Sequence, residues 1–359
     1  MNPLFLVILD VFLMPVLFFI AGYFAVSSFQ TNGIRRFLKK KCKRLGLPLL
    51  IGIPLIGPSF SSIYHYTRNG FAIHESFSAY WVDYMQSVAD FPLGIITSID
   101  TFSHSHLWFM SLLLFFFIVF GWCARHRVGY DKGGVTTAAG SPSANSLWIL
   151  ASVAFLSAVS ALIGSMLFAS PSNPEPWVTI FNILQFQPDN IGSYILYFSM
   201  GIYAYTKKWF MNSNFPGHPG VWCVSCVLMS IFLLICLWQV VLNFSLGAYL
   251  AYLFVRSCLC ASFLAAWAVR NWNRPSKFDA SLAANSYHIY ITHFLLVILM
   301  QLLLAGWSGG SVFIKFGVVS VVSILASYAI SNYALRPFPR LSISGFYIIL
   351  VIMFTYTHP

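Results

Sequence analysis

Apolar residues in this chain come in long runs, with the polar residues gathered in the gaps between them. Ten runs approach the length of about 20 residues that a helix needs to cross hydrocarbon. They cover roughly 4–28, 45–64, 106–123, 147–168, 191–206, 221–242, 248–269, 282–304, 312–334 and 343–357, the fifth and tenth being short. This pattern predicts an all-α polytopic membrane protein, with about ten transmembrane helices in one bundle. Residues 1–359 then form a single integral-membrane domain.

The gaps alternate in charge. The first, 29–44, holds seven Lys or Arg, all within Arg35–Arg44, and every second gap after it is again basic, while those between carry one or none. Each Lys or Arg at a bilayer centre costs about 2.5–3.5 kcal/mol on insertion scales, so the first gap is expected to be a loop outside the hydrocarbon. Cytoplasmic loops carry the excess of Lys and Arg, which puts this loop inside and both termini outside. An outside start leads one to expect a further inside-to-outside helix before residue 1.

Composition agrees: 58% of the residues are hydrophobic and 8% are charged, against about 25% charged in a soluble domain. The net charge of +11 is scattered over membrane-edge loops and forms no single patch, which argues against nucleic acid as a partner. Seven cysteines give no disulfide framework; Cys223 and Cys226 have metal-like spacing but no second pair, so no metal is expected. The outer gap 65–105 holds His65, His74, Glu75, Asp100 and His104 among many aromatic residues, a composition suited to a cap at headgroup level.

Ionisable groups inside spans are costly, and each is therefore a functional candidate. Asp10, Arg256, His288 and His293 qualify, whereas Lys315 lies close enough to an outer end to snorkel. The two histidines are five residues apart, about 140° around a helix, so they do not share a face as joint metal ligands. A lone membrane histidine otherwise makes an interhelical hydrogen bond. His106 opens the third span at its outer end, where an imidazole can serve as general acid or base. The basic loop has two readings. One is topology plus attraction to anionic membrane lipid; the other is capture of a phosphorylated donor by Lys and Arg.

Four stretches, in order along residues 12–293, together resemble the membrane-bound acyltransferase 3 family. Phe12-Leu-Met14-Pro15…Phe18-Phe19-Ile-Ala-Gly22-Tyr23-Phe24 is similar to its MPLFFxxSGYF helix. Phe37-Leu-Lys-Lys-Lys41-Cys-Lys-Arg44-Leu-Gly-Leu-Pro48 is similar to FLxxRxxRLxxP, with Lys41 where the family has Arg. His106-Leu-Trp-Phe-Met110 resembles HLWFL, and Asn285-Ser-Tyr287-His-Ile-Tyr290-Ile-Thr-His293 resembles NSYxIYLxH. The glucans biosynthesis protein C branch, which succinylates periplasmic glucans, shares this look. The resemblance implies an O-acyltransferase of the bacterial inner membrane, with acyl-CoA as cytoplasmic donor and a carbohydrate hydroxyl outside as acceptor. It implies that Lys41, Arg44 and Arg36 meet the donor phosphates and that His106 and His293 line the reacting centre. The family also has an earlier helix carrying an Arg and the His taken as its catalytic base. This sequence is expected to lack that helix, and so to be either a piece of an enzyme or an inactive copy. The alternative is a non-catalytic transporter or export partner for lipid or polysaccharide.

Overall fold

The computed structural model describes residues 3–68, 77–90, 93–96, 105–126, 145–170, 173, 176–181, 183–210, 219–242, 251–252, 254–255, 276–307, 309, 311–338, 348 and 351. The expected spans 248–269 and 343–357 lie largely outside these residues, as do Arg256, His74, Glu75, Asp100, His104 and the side chains of Asp10 and His65. The helices are α1 Pro3–Lys41, α2 Leu47–Arg68, α3 Phe77–Asp90, α4 Trp108–His126, α5 Asn145–Phe168, α6 Pro188–Thr206, α7 Pro219–Leu242, α8 Lys277–Leu303 and α9 Val312–Ile330. Among the described residues, five helical segments are long and apolar enough to cross a membrane: Leu13–Pro54, Trp108–Arg125, Trp148–Phe168, Lys277–Leu303 and Val312–Leu335. Ten spans are therefore not established.

Two sequence expectations are corrected. The basic stretch 29–44 is not an irregular loop. α1 runs on to Lys41, broken at Gly33 (φ 65°, ψ 167°), and a π-helical turn at Cys42–Gly46 leads into α2. Charge density does not oppose a helix, because Leu, Lys and Arg are good helix formers. Gly33 supplies the one conformation that an L side chain would resist. The second correction is to the all-α fold. β1 Leu93–Ile96, β2 Trp177–Ile180 and β3 Leu184–Phe186 form an antiparallel sheet in the order β1-β2-β3. It joins two of the gaps expected outside, with Leu93 opposite Ile180 and Thr179 opposite Gln185.

The bundle is centred on α1, α4 and α6, which run parallel. Phe18 meets Phe109 at a ring separation of 5.1 Å and Tyr194 at 4.7 Å, while Phe29 meets Phe120 at 5.7 Å. At the other end Tyr205 donates a hydrogen bond to Gln30 at 3.2 Å. Lipid gives helices no hydrophobic drive to associate, so close van der Waals packing has to hold them. Glycines permit it: a Cβ on Gly22 would run into the Phe198 carbonyl, and one on Gly201 into the Phe19 carbonyl. Since backbone cannot yield, Gly201→Ala should force α1 and α6 apart at about 1–3 kcal/mol. A thermal-melt midpoint several degrees lower in detergent checks this.

α2 carries Pro54 and Pro58. Pro58 has no N–H for the Pro54 carbonyl; Trp81 of α3 donates its indole N–H there instead, at 2.8 Å. The orphan acceptor thus docks the outer helix α3 onto the bundle.

Beyond Gly33 the chain turns back along α4. Phe37 is fully buried and packs on Phe29, Phe117 and Phe120 at 5.8–5.9 Å. Lys41 lies over the Phe117 ring at 3.9 Å, and Gly46 faces Leu114. The basic segment therefore retraces α4 from Phe120 to Leu114, about 9 Å at 1.5 Å per residue.

Candidate functional site

That return brings the basic turn to α8, which runs opposite to α4. Tyr287 donates its hydroxyl to the Arg44 carbonyl, and the Arg44 guanidinium lies 5.3 Å from the Tyr287 ring centroid. One turn further along α8, Tyr290 donates to the His106 carbonyl and packs on Phe109 at 5.8 Å. His293 follows, its ring 5.9 Å from that of His106 and nearly perpendicular to it, at 80°. The Phe294 ring lies 5.0 Å from that of His106. From Tyr287 to His293 is six residues of helix, about 9 Å.

His106 sits in a short 3-10 turn, Ser105–Leu107, and the apolar span starts after it, at Trp108. The expected start of that span at residue 106 is thus corrected by two residues. The turn frees the imidazole from the α4 ladder and aims it at α8. Burial pushes its pKa down to about 4 and His293 pushes the same way, while a hydrogen bond to the Ile291 backbone opposes them. His106 is therefore a neutral imidazole at pH 7. The unfolded chain, with an ordinary histidine pKa near 6.5, binds this proton more readily between pH 6.5 and pH 4. His106 thus lowers stability as pH falls through that window and has no such effect above it. His106→Gln should flatten the acid limb of a melting-temperature profile over the same range.

The His293 Nδ1 lies 2.7 Å from the Tyr290 carbonyl and 3.1 Å from the Ile289 carbonyl. Carbonyls only accept, so Nδ1 carries the hydrogen and the lone pair of the neutral ring is on Nε2. The helix thereby fixes both tautomer and ring orientation. Lys41, half-buried over Phe117, and Arg44 are brought to this end of α8; Arg36 lies among the exposed residues of the basic helix, before Phe37, outside that contact. Among the described residues no three His, Cys, Asp or Glu side chains gather closely enough to hold a metal ion.

The sheet packs against the start of α4. Trp177 of β2 meets Trp108 at 5.4 Å, and Trp108 stacks on Tyr194 at 5.8 Å. Thr179 and Gln185, paired across β2 and β3, are each 1% exposed. Sequence reasoning assigned no role to Tyr287 or Tyr290. Their signal was the stripe Tyr287, Tyr290, Phe294 at i, i+3 and i+7, which puts three rings on one helix face. Removing the hydroxyl in Tyr290→Phe leaves the ring but frees the His106 turn. We expect the His106 ring to lose its fixed orientation at nearly unchanged melting temperature, read from the histidine ring resonances beside a melt.

A profile of the acyltransferase 3 family, described as an acyltransferase domain, matches residues 2–332. The chain belongs to the acyltransferase 3 family. No curated protein and no solved structure matches it. For an acyltransferase 3 protein the apolar helices make it an integral membrane protein. Three of the four stretches that carry the resemblance meet at this site, the basic turn, the His106 turn and α8, while the α1 stretch packs behind them through Phe18 on Phe109.

Proposed function

We propose that this acyltransferase 3 protein moves an acyl group from acyl-CoA, bound at the basic turn, to a hydroxyl of a carbohydrate such as a glucan. The observation that carries the reading is the assembly of two histidines and a basic turn along about 9 Å of α8. The pantetheine arm of CoA is longer than that gap, so phosphates held by Arg44 and Lys41 leave the thioester free to reach the histidines.

Each residue then has a task. Nε2 of His293 takes the proton from the acceptor hydroxyl as its oxygen attacks the thioester carbonyl. The carbonyl oxygen becomes an oxyanion beside the neutral His106 ring, which lies 5.9 Å from His293 and lines the reacting centre. When the C–S bond breaks, the proton on His293 passes to the departing CoA thiolate. An ester and free CoA result, and the imidazole is restored.

The donor enters from the cytoplasmic side and the acceptor from outside, in the bacterial inner membrane. The acceptor meets the half-buried Trp108 and Trp177 on the sheet side, since aromatic faces suit sugar rings. Purified protein in lipid discs, given acetyl- or succinyl-CoA and a glucan oligosaccharide, should yield an ester of increased mass and free thiol. Absence of both products with bound CoA would overturn the reading.

A further inference from the structure

Two π-helical turns close on the same turn of α8. One is Cys42–Gly46, joined through the Arg44 carbonyl to Tyr287. The other is Ser331–Leu335, at the end of α9. Its Ser331 hydroxyl donates to the Asn285 side-chain oxygen at 2.8 Å, and Asn285 donates to the Asn332 side chain at 3.4 Å. Asn285 and Ser331 are both fully buried, so this joint is fixed. Such turns recur at functional sites.

Each turn presents an arginine. Arg44 lies inside the first; Arg336 closes the second, its N–H donating to the Ser331 carbonyl at 3.0 Å. Both are exposed. At 100° per residue, Asn285 and Tyr287 lie about 200° apart around α8, and His288 falls in the remaining arc between them. His288 is within electrostatic reach of both Arg44 and Arg336. Its Nδ1 is shielded and has no hydrogen-bond partner among the described residues, an arrangement that asks for a ligand. No acidic residue occurs in 33–48 or 331–340. The one acid of α8, Asp279, is taken by Ser276 in a capping box. Among the described residues, two like charges therefore converge on a histidine with no group of opposite sign shown between them.

We propose that Arg336 and Arg44 form a two-sided clamp on the phosphates of the acyl donor, with His288 at its floor. This rests on the donor reading above and adds Arg336 and His288 to it. The chemistry recognised is a phosphate diester or diphosphate, which forked guanidinium groups bind through paired N–H donors. The same chemistry is offered by an anionic lipid headgroup, and the test separates the two.

The test uses the full chain in lipid discs and compares acyl-CoA with acyl-pantetheine, which has the thioester but no phosphate. Arg336→Gln should raise KM for acyl-CoA about tenfold and leave KM for acyl-pantetheine and kcat for both donors unchanged. Arg336→Lys should fall between, keeping charge but losing the fork. No change in either KM, or an equal rise in both, would overturn the clamp. So would an effect confined to discs made with anionic lipid, which would assign the arginines to a headgroup. Failure of the unaltered protein to use any acyl-CoA would sink the donor reading itself, before any variant is made.

Discussion

His293→Ala lowers kcat for acyl transfer by about 10²–10⁴-fold, the usual contribution of a positioned general base. KM for acyl-CoA should change little, because the basic turn proposed to hold the donor phosphates is about 9 Å away along the helix. The size of the effect follows from orientation. The Tyr290 carbonyl 2.7 Å from Nδ1 fixes the tautomer, so the basic Nε2 is presented without a competing form. His293→Gln gives the control: it keeps a polar side chain but cannot carry the proton, and should be as inactive as the alanine variant. Steady-state kinetics on both, with melting temperatures to show that the fold persists, check this. A His293→Gln enzyme with near-normal kcat would remove His293 from the proton's path.

The second large effect is on donor binding. The double variant Lys41→Gln, Arg44→Gln raises KM for acyl-CoA by about ten- to a hundredfold, with kcat at saturation largely kept. A hydrogen bond to a charged group is worth about 1.5–3 kcal/mol, and Lys41, half-buried against Phe117, is screened less than a free surface lysine. The single Arg44→Gln variant also loses its stacking on Tyr287, whereas the hydrogen bond from Tyr287 goes to the Arg44 backbone and survives. The turn should therefore stay in place while affinity falls. Raising ionic strength should reproduce part of the loss in the unaltered protein. KM values for acyl-CoA in both variants, at low and high salt, decide the point.

The parts of this site were legible in the sequence to different degrees. His106 and His293 stood out because ionisable groups are rare in apolar runs, and the structure places their rings side by side. That the basic stretch is helical was not legible. Seven positive charges say nothing about backbone, and the decision rests on Phe37 finding Phe117 and Phe120 on a helix 70 and more residues later. The return along α4 depends on one left-handed glycine, Gly33, which looks in sequence like any loop glycine. The sheet was missed for a related reason: its strands are three or four residues long and pair across two separate gaps. Pattern reading needs more residues than that to detect a period of two. Arg336 lies in a late basic gap, and its approach to α8 is not visible in the sequence because it depends on the buried Ser331–Asn285 bond. Ten apolar runs were visible, yet length and composition establish five crossing segments among the described residues.

Acyl transfer across a sealed bilayer tests the central claim most directly. Purified protein is placed in vesicles with a glucan oligosaccharide trapped inside, radiolabelled acyl-CoA is added outside, and labelled ester is counted in the lumen after the donor is removed. The account predicts luminal ester from those molecules whose basic turn faces outward, and none when His293→Gln replaces the unaltered chain. An unlabelled lumen beside normal CoA binding, or equal labelling by His293→Gln, would contradict it.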